Sequence, residues 1–249
     1  MSIQLRPPSS VASIHNSKSP IVYTPPSVTF LQGTWHVTHS TLPMWKSSRN
    51  VHITYTPLLS SSNPIPDGSH SATDAADIQL DDLVSYNSLN GDKVKTIHGI
   101  DTPVAEGAWH WRGTGWLTIA SSHWEILGYG TEKPDGPAPL HNDAIEAGAQ
   151  MVVEGDDTEP AADLSVAAAT QQDLNQWIVT YFTKSLFTPA GIDIYSRSAE
   201  GLRDETVSDI REMLKGLEGP EMMKLAGEMF EVKRDHCWLE ACKKFAGVM

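Results

Sequence analysis

Phe30-Leu31-Gln32-Gly33-Thr34-Trp35-His36-Val37 sets a Gly-x-Trp inside an apolar, β-branched run near the start of the chain. Its Val, Thr and Trp content marks it as a strand, and a glycine at its entry permits a backbone turn that other residues resist. Outward from it the same signal continues to about residue 197, as short runs rich in Val, Ile, Thr, Tyr and Trp separated by Gly, Pro, Asn and Asp. Strands are expected at 29–40, 50–57, 80–87, 93–101, 108–113, 115–121, 123–129, 176–185 and 191–197. That number suits a closed barrel of about eight to ten strands. Asn90-Gly91 and Thr114-Gly115 are tight-turn signals, so the expected fold is mainly β, an up-and-down antiparallel barrel.

Beyond residue 197 the apolar period changes from two to about 3.6. Leu202, Val207, Ile210, Met213, Leu214 and Leu217 share one helical face, and Gly219-Pro220 stops that helix and opens another carrying Met222, Leu225, Ala226 and Met229. A last helical stretch carries Trp238, Leu239, Cys242 and Phe245. The expected organisation is a Pro/Ser-rich arm at 1–28 that adds little to the core, a barrel at 29–198 and a C-terminal α-helical appendage at 199–249. An acidic insertion at 131–175 interrupts the barrel. Between 131 and 173 it holds ten carboxylates against the single Lys133, a composition too polar to offset the entropy of ordering. It is read as an excursion between strands, with a lid as its functional reading.

The opening strand resembles that of lipocalins and cytosolic fatty-acid-binding proteins, the calycin superfamily. The last strand, Gly191-Ile192-Asp193-Ile194-Tyr195-Ser196-Arg197, strengthens the resemblance, which spans roughly 30–197 and points to no subfamily. It implies that Gly33 turns the chain onto the barrel floor, that Trp35 plugs the closed end and that Arg197 lies over Trp35. It also implies an alternative, in which Arg197 and Tyr195 reach a ligand carboxylate. The apolar turn Thr41-Leu42-Pro43-Met44-Trp45-Lys46 corresponds to the loop that closes over the open end, so Met44 and Trp45 are candidates for a hydrophobic cap.

If Trp35 points inward, strand alternation carries Val37 and His39 inward too, along with Val51, Ile53 and Tyr55 on the second strand. Trp109 and Trp111 share one face and His110 and Arg112 the other, and either face could line the cavity. His123, Glu125 and Tyr129 share a face at two-residue spacing, which would suit acid-base chemistry or a solvated stripe. Candidate catalytic residues are therefore His39, Tyr55, His123 and Glu125. Candidate ligand contacts are Met44, Trp45, Tyr86, Trp109, Trp111, Arg112, Tyr129, Tyr181 and Tyr195.

Composition removes other classes. The 249 residues include 31 acidic and 18 basic side chains, a net charge of −13 that repels nucleic acid and anionic lipid. No acid precedes Asp67, but Pro7, Pro8, Pro20, Pro25 and Pro26 break the helix that a transit peptide needs. No run is long and apolar enough for a signal peptide or a membrane span, and Cys237 and Cys242 are too badly spaced to share a disulfide or metal on one helix. A cytoplasmic location is the expectation. The ten histidines show no His-x-His or Glu-x-x-His pattern, and there is no phosphate-binding glycine loop or nucleophile elbow, so neither a metal nor a cofactor is expected. The expected function is binding of a small, largely hydrophobic, aromatic or isoprenoid-like molecule. Two alternatives are a cofactor-independent cyclase, isomerase or lyase acting in the same cavity, and an interaction protein that meets a protein partner through its C-terminal helices.

Overall fold

The computed structural model describes residues 3–12, 23–58, 78–133, 174–186, 188–217 and 219–235. Eight antiparallel strands close into a barrel: β1 (Gly33–Ser40), β2 (Ser48–Leu58), β3 (Gln79–Ser88), β4 (Val94–Ala105), β5 (Ala108–Gly113), β6 (Ser121–Glu132), β7 (Asn175–Phe182) and β8 (Gly191–Ser196). Each strand pairs with the next, and β1 closes the ring against both β8 and β2, so the meander expected from the turn signals is the one formed. A two-residue β9 (Phe230–Glu231) adds to β1 beside His39 and Ser40.

Local sequence explains where the elements begin. After a one-turn helix in the arm, α1 (Ser9–Ala12), a second short helix, α2 (Val28–Leu31), precedes β1, its start capped by the Ser27 hydroxyl, which accepts from the Phe30 amide. Residues 29–31 therefore belong to a helix, whereas a strand was expected there. Gly33 then turns the chain with a φ of 95°. The strand expected at 115–121 is absent. Gly115, at a φ of 60°, opens a 3-10 turn (Gly115–Leu117), and the Gly113 amide donates to Ala120, so β5 passes directly to β6. The barrel accordingly has eight strands.

Two apolar layers form. Leu31, Trp35, Val37, Ile53, Trp124 and Ile178 fill the barrel's floor and walls. Outside, Trp177, Val179, Ile192 and Ile194 face α3 (Asp204–Gly216) and α4 (Pro220–Glu228), which contribute Ile210, Leu214, Met222 and Leu225. β8 is thus buried on both faces, which is why every one of its residues is buried. The arm contributes more than expected: Leu5 is buried in the outer layer, and Arg6 forms an ion pair with Glu125. The acidic lid reading and the last helical stretch fall at 134–173 and 236–249, outside the described residues.

Candidate functional site

The barrel encloses a cavity of about 570 Å³. Its mouth is formed by the 3-10 turn Pro43–Ser47, which brings Met44 and Trp45, and by the 115–120 connection, where Trp116 is 85% exposed and Ile119 80%. Apolar side chains so open to solvent surround the entrance with surface an apolar molecule can cover. Deeper in, aromatic faces form the walls. The Trp124 indole is sandwiched between Trp109, at 4.5 Å, and Tyr55, at 5.6 Å, and Trp45 meets Tyr86 edge-on at 5.6 Å. Gly99 makes room for Trp111, because a Cβ there would collide with the indole.

At the closed end, the Arg197 guanidinium lies 3.6 Å from the centre of the Trp35 ring. It also donates to the carbonyls of Thr34 at 2.8 Å, Phe30 at 2.7 Å and Gln32 at 2.6 Å, while Trp35 Nε1 donates to Leu31. Arg197 is thereby committed to the floor and is not among the cavity-lining residues, so of the two roles implied for it the ligand-carboxylate role is corrected.

The least expected feature is acidic. Asp82 on β3, Asp101 on β4 and Asp193 on β8 all face the barrel interior and are buried. Asp193 accepts from the Ser40 hydroxyl at 2.5 Å and from Trp45 Nε1 at 3.4 Å, and Asp101 accepts from Trp124 Nε1 at 2.7 Å. Asp82 Oδ1 and Asp101 Oδ2 have no hydrogen-bond partner. Burial raises the Asp193 carboxyl to about 7 against the two donors that oppose it, and raises Asp101 to about 7 against Trp124. Burial and then the neighbouring Asp101 push Asp82 well above the usual carboxylate range. The Tyr55 and Tyr195 phenols stand near these acids and are pushed above their ordinary value by burial. No Lys, Arg or His among the described residues lines the cavity.

Met44, Trp45, Tyr55, Tyr86, Trp111 and Tyr195 line this cavity, while Trp109 packs behind Trp124. Tyr129 faces inward below it, against Phe30 at 5.2 Å, and donates to the Thr24 carbonyl. The other candidates point away, and two β-bulges account for much of this. On β1, Val37 pairs with Tyr195 but His39 with Ile194, so Thr38 is an extra residue and His39 faces outward rather than inward. There burial, with Arg211 and Arg234 nearby, lowers the imidazole to about 4. On β6, Leu127 is the extra residue, so His123 and Glu125 face outward although Tyr129 faces inward. Glu125 is occupied by Arg6 Nη1 at 2.6 Å and by Ser9, and the His123 ring stacks on His110 at 4.5 Å. Arg112 lies on the outer face beside His110 and donates to the Thr118 carbonyl, so it is not a ligand contact in this cavity. Tyr181 is buried in the outer layer beneath the helices.

The three aspartates were missed by sequence reasoning, although a signal existed. Asp193 alternates with Tyr195, and Asp82 with Val84 and Tyr86, so each shares the face of a residue assigned inward. A carboxylate in a strand ordinarily marks the solvent side, and that habit hid them.

No family model matches the chain, and no curated protein matches it. Similar solved structures include apocrustacyanin C1, at 11% identity and a TM-score of 0.46 over 98% of this chain and 97% of that one. The siderocalin Ex-FABP, described as functioning through dual ligand specificities, is similar at 11% identity and a TM-score of 0.41 over 84% of this chain and 96% of that one. The barrel's own topology, a closed eight-stranded meander with a first-strand tryptophan beneath an arginine at the end of the last strand, is lipocalin-like.

Proposed function

We propose that this protein binds a small, largely apolar, aromatic or isoprenoid-like molecule inside the barrel. One observation carries the reading: a 570 Å³ cavity walled by aromatic rings and entered through an apolar mouth. Cavities of that size and lining suit small organic ligands, and burying about 250 Å² of apolar ligand surface supplies about 6 kcal/mol before ordering costs. The test is titration of neutral aromatics and terpenoids against intrinsic tryptophan fluorescence, with native mass spectrometry for stoichiometry. Saturable one-to-one binding that Val84→Phe weakens by about tenfold or more, by filling the wall, supports it. Binding indifferent to that substitution, or no binding across the panel, overturns it.

A second reading, acid-base turnover of the bound molecule without a cofactor, is favoured by the Asp193 carboxyl, raised to about 7 by burial and facing the cavity. A product formed from a bound precursor, with the rate falling by about a hundredfold in Asp193→Asn, would support it. A rate unchanged in that variant would count against it. The arm, barrel and helices divide naturally into strap, container and brace under either reading. Cysteine usage favours a cytoplasmic setting, and no described helix is long and apolar enough to cross a membrane. A protein partner for the C-terminal helices is the least supported element, since α3 and α4 bury their apolar faces on the barrel.

A further inference from the structure

We propose that the ligand is an amine: a small aromatic or isoprenoid-like molecule carrying one positive charge, seated between Asp82, Asp193 and the aromatic walls of the chamber. This rests on the binding reading above and specifies the chemistry of its occupant.

Three observations converge. First, the carboxylates come from three separate strands and meet in one interior, where no described cationic side chain answers them. Buried carboxylates are costly unless paired, and elsewhere in this molecule the rule is kept: Glu125 has Arg6, and Glu132 has Arg203. Secondly, Asp82 is buried and lines the cavity, and no described side chain answers its carboxyl, whose Oδ1 has no hydrogen-bond partner. Thirdly, Trp45, Trp111, Trp124, Tyr86 and Phe182 line the same space. Aromatic faces attract cations through the ring quadrupole, most strongly where water is excluded. The chain's net charge of −13 adds a long-range field of the same sign.

An anionic ligand, such as a fatty acid, meets the opposite chemistry: no described guanidinium or ammonium lines the chamber, and two carboxyls do. The titratable groups that line it are Tyr55 from β2, Asp82 and Tyr86 from β3, and Asp193 and Tyr195 from β8, with the buried Asp101 of β4 beside Asp82. In the absence of a cation, burial holds these acids protonated toward neutral pH. A bound ammonium stabilises the ionised form, so binding near pH 6 expels a proton from an aspartate to solvent.

The experiment compares three probes of one shape on the full chain: tryptamine, tryptophol and indole-3-propionate, with calorimetry in two buffers of different ionisation enthalpy. Tryptamine is expected to bind about tenfold or more tightly than tryptophol, with indole-3-propionate weakest and with proton release at pH 6 for tryptamine alone. Asp82→Asn should reduce the tryptamine-to-tryptophol ratio to about threefold or less, and Asp193→Asn provides the same comparison should the first variant not fold. Equal affinity for tryptamine and tryptophol, tightest binding of the propionate, or a ratio that survives both substitutions overturns the amine assignment. If neutral aromatics bind while tryptamine does not, the container reading stands and the amine fails. If no probe of any charge binds, both fail.

Discussion

The Arg197 and Trp35 pair shows how one side chain can seal a barrel. The guanidinium stacks on the indole and ties three successive carbonyl-bearing segments of the α2 to β1 turn, so its loss removes a cation-π contact and several charge-assisted hydrogen bonds together. Arg197→Met keeps the stem and is expected to cost about 2 to 4 kcal/mol, measured as a lowered urea midpoint at unchanged m-value. An unchanged midpoint would show that the floor is held by apolar packing alone. Gly99→Ala is a second residue-scale case: the added methyl would strike the Trp111 indole, so displacement of Trp111 and a cost of about 1 to 3 kcal/mol are expected, read from near-ultraviolet dichroism and denaturation. Among residues facing the chamber, Trp45, Tyr86, Trp111 and Tyr195 were legible in sequence because aromatic residues in strands and apolar loops stand out by type. Asp82, Asp101 and Asp193 were not, because residue type argues for solvent and only their neighbours argue otherwise.

At the scale of elements, the N-terminal arm behaves as a strap. Arg6 and Glu125 are 12% and 6% exposed, and the Ser9 amide and hydroxyl also donate to that carboxylate. Arg6→Ala leaves a buried charge half satisfied and is expected to destabilise by about 3 kcal/mol, whereas Arg6→Ala with Glu125→Gln should recover much of the loss. No recovery in the double variant would mean that the arm is held by Leu5 rather than by charge. Strand identity was readable from alternation and turn residues, and so was the helical period of α3. The 115–121 segment misled because Gly-Trp-Leu-Thr-Ile-Ala has strand composition, but Gly115 at positive φ commits it to a turn. The faces of β1 beyond Thr38 and of β6 beyond Leu127 were not readable either. A bulge inserts one residue with no compositional mark and reverses inside and outside for all that follows.

For the molecule as a whole, burial of titratable groups sets a pH dependence made of opposed parts. Asp101 and Asp193 are raised to about 7, so the native state keeps protons that the unfolded chain gives up above about pH 4, and stability falls as pH rises from about 4 to 7. His36 and His39 are lowered to about 4, chiefly by burial, so the unfolded chain takes up protons that the native state refuses, and stability falls as pH drops from 6.5 to about 4. The two trends oppose each other across one window, and Asp82, raised by the same burial, adds to the aspartate side. Asp193→Asn should unmask the histidine part: against the parent, the variant should gain stability progressively between pH 4 and 7, with a ceiling of about 4 kcal/mol, followed by thermal or urea denaturation in a pH series. A constant difference across the series would mean that Asp193 does not titrate in that window. What the sequence alone determined was the kind of molecule: two-residue alternation, glycine turns and a change to helical period specify a meandering barrel with a helical brace, since each is a local property of the chain. What only the tertiary structure decided was the chemistry inside, because the inward face depends on bulges and ring closure, and burial depends on what the other strands bring to the same space. Three aspartates that read as solvent-facing one strand at a time become the acidic interior of a barrel once eight strands close around them.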